Sequence, residues 1–282
     1  MDPHVQEWLS LGVRWFHVIT GVAWIGASFY FNWLENQLDR KGSHLRDGVA
    51  GDLWAIHGGG FYFLEKFKIA PPKIPENLHW FKYEAYFTWL SGFTLLIIVY
   101  YLNVDTQVID SSVRELTGAQ AIGIGIGSMI GGWIVYDLLC KSPLVKKPTL
   151  FAVLCIGLAI GISYFLAHMF GPKAAYIHVG AVLGTIMAAN VFFVIIPSQK
   201  KFVNCAEKGD PVDPSLGANA GLRSRHNNYI TLPVLFIMIS NHYPSTYGHG
   251  ENWAILAGVS IVGASVRHWF NIRHLPEKKV WI

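Results

Sequence analysis

Seven long apolar blocks, separated by shorter polar stretches, dominate the chain at roughly 9–34, 84–104, 119–140, 149–170, 174–197, 227–243 and 252–275. Each approaches the ~20 residues needed to cross ~30 Å of hydrocarbon. A backbone in lipid must satisfy its own hydrogen bonds, so these blocks are expected as helices. The expected fold is therefore all-α, a polytopic transmembrane helix bundle with seven clear spans. Only 14% of residues are charged, against about 25% in a soluble domain. Residues 1–282 read as one integral membrane domain, with a cytoplasmic insert at 35–83. A lipid bilayer is the expected surroundings, no nucleic acid is an expected partner, and the oligomeric state is left open.

Basic residues orient the bundle. With the N-terminus outside, nineteen of the twenty-two Lys and Arg fall on one side, leaving Arg14, Arg114 and Lys173 on the other. That asymmetry is the positive-inside pattern. Three cysteines, Cys140, Cys155 and Cys205, include no CxxC or CxxCH, so this stretch carries no covalent c-type haem. The ending PEKKVWI reads as the approach to a further helix. The GIGIGSMIGG run (123–132) reads as small-residue helix packing, because no strand precedes it and no GK[ST] follows.

Ionisable side chains inside spans are costly and default to functional candidates. His17, His168, His178 and His242 are expected at one outer level. Small residues follow His17 (Gly21) and precede His168 (Gly161) on their own helix faces, leaving room for a flat macrocycle. The expected cofactor is haem b with its iron held by His17 and His178, alternatives being His168 and His242. A weak similarity between WFHVITGVAW and YIHVGAVLGT relates the first pair.

The inner level is polar in a different way. Asn227, Asn228, Tyr229 and Thr231 crowd one turn, where Pro233 also frees a backbone carbonyl. Asn32, Glu84 and Asn190 reach a similar depth. Together they read as the wall of a cavity for a small, flat, hydrogen-bonding molecule. In the 35–83 insert, His57 precedes Gly58, Gly59 and Gly60, which suggests a tight turn between short strands or a re-entrant piece. His57 and His226 are the candidate catalytic bases.

The stretches RWFHVITGVAWIGASFYFNWLE, DLWAIHGGGFYFLEKFKIAPP and RHNNYITLPVLFIMISNHYP together resemble the membrane domain of the bacterial membrane-bound, cytochrome-linked urate oxidases (urate hydroxylases). The likeness runs over essentially the whole chain. It implies oxidation of urate to 5-hydroxyisourate, eight helices, residence in the bacterial inner membrane with a periplasmic N-terminus, and a cytochrome c-type electron acceptor. Haem c would then lie on a separate or missing domain, since the sequence has no CxxCH. Two rival readings are a haem b electron-transfer protein acting on another substrate and a transporter for a purine-like anion.

Overall fold

The computed structural model describes residues 2–273. Lys278, Lys279 and the PEKKVWI ending lie outside the described residues. Helix α1 (Pro3–Gln37) opens with Pro3 at its first turn and with Asp2 accepting hydrogen bonds from the backbone of His4 and Val5. A proline also occupies the first turn of α4 (Pro148–Ala167), α5 (Pro172–Lys208) and α6 (Pro214–Ser240), where its missing N–H costs nothing. α3 (Gly118–Lys141) starts on a Thr117–Gln120 capping box. α2 (Tyr83–Gln107) and α7 (Asn252–Ile272) complete the set of long helices.

Six of these seven helices are long and apolar enough to cross a membrane. α6 is the exception, because its first half is polar. Its 27 residues nevertheless run antiparallel to both neighbours. Asn227 bonds the Met187 carbonyl of α5, and Gly180 of α5 lies against Ile237. On the other flank Asn228 meets Arg267 of α7, and Pro233 lies against Gly263.

α5 is the most buried of the six apolar helices, and Tyr176, His178 and Asn190 on it are fully enclosed. Small residues let apolar helices of this length approach closely. Two α3 glycines serve this purpose. A Cβ at Gly125 would meet His178 and one at Gly132 would meet Val182, whereas Gly123, Gly127 and Gly131 face open space. The expected packing role thus belongs to two of the five.

The 35–83 insert is a hairpin, one of the two forms expected. β1 (Val49–His57) pairs antiparallel with β2 (Gly60–Phe67), with Trp54 opposite Phe63 and His57 opposite Gly60. Gly58 and Gly59 form the two-residue turn at φ +60° and +80°, a conformation other residues adopt only with strain. The hairpin root is tied to the end of α1. Glu35 pairs with Arg40 and Lys66, and Asp39 bridges Asp52, whose carboxylate lies 2.9 Å from His44.

The polar stretch between the 174–197 and 227–243 blocks, 198–226, is largely helical instead of a loop, since α5 continues to Lys208 and α6 begins at Pro214. Pro197 lacks the N–H that would continue the regular ladder. α5 absorbs this with a π-turn at Asn190–Ile195 and then resumes.

Candidate functional site

That π-turn shapes the main cavity. Widening the helix by one residue is a frequent device at functional sites. Here Asn190 points into the bundle, fully buried, while Phe193 and Val194 reach the cavity wall. The cavity holds about 430 Å³ and is lined by Trp133, Asp137 and Lys141 of α3, by Phe193, Val194, Pro197, Ser198 and Lys201 of α5, and by Asn219 and Arg223 of α6. This size falls in the usual range of small-molecule sites.

Arg223 is 1% exposed. It donates 2.6 Å to Asp137 Oδ1 and 3.2 Å to Asn190 Oδ1, and its guanidinium lies 5.1 Å from the Tyr136 ring centre. Lys141 holds the other oxygen of Asp137 at 2.6 Å. Lys201 adds a third cation to the wall. One carboxylate against three cations leaves the cavity net positive. Trp133 and Phe193, 6.0 Å apart and near parallel, supply aromatic faces. The arrangement suits a flat anion.

A polar network backs this wall. Asn190 donates to Asn227 Oδ1 at 2.8 Å and to Tyr136 Oη at 3.2 Å. Tyr136 Oη lies 2.7 Å from His226 Nδ1, and Phe151 stacks on the His226 ring. His226 therefore communicates with the cavity through Tyr136 and Asn190.

The structure divides the remaining sequence-predicted residues. Asn190, Asn227 and His226 gather behind the cavity. Asn228 faces the other way, accepting from Arg267, and Tyr229 bonds His268. Thr231 donates to the backbone of Asn227. Consecutive helical positions point about 100° apart, so one turn could not bring all four to one ligand. Asn32 and Glu84 are half-buried and are not part of the cavity wall. His57 sits exposed beside the hairpin turn and is likewise not part of the wall. Trp133, Asp137, Lys141 and Lys201 were missed. Asp137 and Lys141, an acid and a base four apart at the end of an apolar helix, were the signal available.

The histidines do not share one level. His17 Nδ1 lies 3.0 Å from the Thr88 carbonyl, and neighbouring Trp89 bonds Thr185 of α5 at 3.0 Å. Thr185 follows His178 by seven residues, which places His178 roughly 10 Å further along the bundle than His17. His178 is fully buried. Its Nδ1 bonds the Ala174 carbonyl, its Nε2 bonds Tyr101 Oη at 3.2 Å, and Phe170 packs 4.6 Å from its ring. A haem b bridging His17 and His178 does not fit this packing, because the His178 nitrogen that would face iron is engaged and its surroundings are filled. Gly21 faces Thr88 of α2, and Gly161 faces open space. His168 and His242 are both exposed.

No curated protein and no solved structure is a significant match to the chain. The family model described as urate oxidase N-terminal matches residues 3–282. Nearly the full length is matched, so the chain belongs to the urate oxidase N-terminal family.

Proposed function

We propose that this chain is the membrane domain of a urate oxidase, and that the cavity between α3, α5 and α6 holds the urate anion. The observation that carries the reading is the buried Arg223 in a net-positive wall beside two aromatic faces. Urate is a planar monoanion near neutral pH with amide-like edges. Arg223 and Lys201 offset its charge, Trp133 and Phe193 cover its faces, and Asn219 and Ser198 offer hydrogen bonds to its rim.

The reaction adds water oxygen to the ring. Urate monoanion plus water gives 5-hydroxyisourate, one proton and two electrons. The electrons go singly to two molecules of a c-type cytochrome acceptor. Asp137, already held by Arg223 and Lys141, keeps the guanidinium aimed at the cavity. The proton passes toward His226 through Tyr136, the hydrogen-bonded pair behind the wall.

The same reading places seven helices across the bacterial inner membrane with the N-terminus periplasmic. α6 crosses although it is polar, since Arg223, Asn227 and Asn228 are turned into the protein. Urate then enters from the side rich in basic residues, where the local field favours anions.

The test is urate-dependent reduction of added cytochrome c by the purified chain. Arg223→Gln removes charged hydrogen bonds each worth ~1.5–3 kcal/mol, so the apparent urate constant should rise roughly 10- to 150-fold. Trp133→Leu should also raise it while leaving Arg223 in place. Reduction with unchanged urate dependence in both variants would remove this cavity from the reaction. Urate exchange across vesicles without cytochrome reduction would instead establish the transporter.

A further inference from the structure

The bundle contains a second deeply buried arginine, and its charge is handled differently. Arg267 of α7 is 6% exposed. Arg223 pairs with a carboxylate, but none of the six ion pairs among the described residues includes Arg267. Its Nε and Nη2 both donate to one oxygen, Asn228 Oδ1, at 3.1 and 3.0 Å. One face of the guanidinium lies on Phe29 of α1, 4.2 Å from the ring centre. Asn228 is neutral, so a full positive charge sits between α1, α6 and α7 with no ion-paired anion among the described residues. Such a charge is costly away from water.

A second observation points to the same place. Asn271 is one helical turn along α7 on the same face as Arg267. Both its Oδ1 and its Nδ2 are enclosed and have no hydrogen-bond partner among the described residues. Buried amides are rarely left so. Just beyond, Arg273 is exposed and lies over Trp269, itself 56% exposed, at 5.3 Å. An exposed arginine over an exposed tryptophan marks the level of a membrane–water interface.

We propose that Arg267, backed by Asn228 and extended by Asn271, forms a site for a phosphate-class oxyanion, the phosphodiester of a phospholipid headgroup at this end of the groove. The inference rests on the membrane reading above. Arg267 presents the Nη1 side of its fork, which makes no hydrogen bond within the described residues, to two phosphate oxygens. Asn271 supplies a donor to the same group. Urate fits less well here. The Phe29 face is already covered by the guanidinium, and Arg267 does not line the cavity between α3, α5 and α6.

The test uses the full chain, purified and delipidated in detergent. Phosphatidylglycerol, inorganic phosphate and urate are added separately, and thermal stability and retained lipid by native mass spectrometry are read. Phosphatidylglycerol should bind and stabilise the wild-type chain. Arg267→Gln should weaken that binding roughly tenfold or more, and Asn271→Leu, which keeps the charge, should weaken it less. Wild-type lipid affinity in both variants would overturn the site. Equal stabilisation by inorganic phosphate, or a urate stabilisation that Arg267→Gln removes, would overturn the lipid assignment. Carbonate washing of cell membranes checks the membrane reading separately: release of the chain into the soluble fraction would sink that reading whatever the lipid result.

Discussion

Lys201 and Arg223 border the same cavity from opposite extremes of burial. Lys201 is exposed, so its contribution to holding an anion is a screened surface attraction of ~0.2–1 kcal/mol. Lys201→Ala should raise the apparent urate constant only about 1.5- to 5-fold, and added salt should erase the difference. Titrating urate at low and high ionic strength checks this, and thermal stability should not move. His178 makes the opposite case. Filling a fully buried position with two hydrogen bonds, it contributes to the fold. His178→Ala should cost about 2–4 kcal/mol through the cavity and the stranded Tyr101 hydroxyl. Haem bound per protein should equal that of wild type, and loss of a Soret band in this variant would restore His178 as a ligand. The sequence marked His178 as unusual because an ionisable group in a span is costly. It could not reveal Tyr101, which arrives from another helix just beyond a π-turn at Leu96–Tyr100. The sequence likewise shows Arg223 beside Asn227 but not the Asp137 that faces it from α3.

Among the elements, α3 offers a controlled comparison. Gly131 and Gly132 are neighbours, yet a side chain at Gly132 would come within 2.7 Å of Val182 while Gly131 has open space. Gly132→Leu should force α3 off α5 and destabilise by about 1–3 kcal/mol. Gly131→Leu should stay within about 0.5 kcal/mol of wild type. Melting both variants in one detergent decides the matter, and equal losses would refute the packing. Helix existence and rough extent were legible because apolar runs of this length admit few alternatives. The hairpin was legible as one of two forms from its three consecutive glycines. The helical ends of α5 and α6 were not, because charged residues in 198–226 read as loop. The end of α5 is amphipathic around the cavity, with Ser198 and Ile196 buried, Lys201 at the cavity wall and Lys200 outward. The same effect hides α6 from a hydropathy criterion, since its polar side chains bond to α3, α5 and α7 instead of facing lipid.

At the scale of the whole molecule, one cysteine can report the sidedness of the cavity. α5 leaves its apolar section near Pro197 and continues to Lys208, carrying Cys205 beyond the cavity on the basic side. Cys205 is partly exposed, whereas Cys140 is buried and Cys155 lies midway along apolar α4. A membrane-impermeant maleimide should therefore react chiefly at Cys205. On the proposed orientation, with the N-terminus periplasmic and five helices crossing before it, Cys205 would face the cytoplasm. Inside-out vesicles should be labelled and sealed right-side-out vesicles should not, with Cys205→Ser abolishing the inside-out signal. The cavity lies at the same end of α5, so the vesicles that expose Cys205 should also be the ones in which added urate reaches Arg223 and reduces the acceptor without prior transport. Labelling of Cys205 from the periplasmic face would invert the bundle and move urate entry to the opposite side, against the field of the nineteen basic residues. The odd number of crossings is tested with it: a tag placed after α7 should share the side of Cys205 only if α6 returns across the bilayer and α7 crosses again.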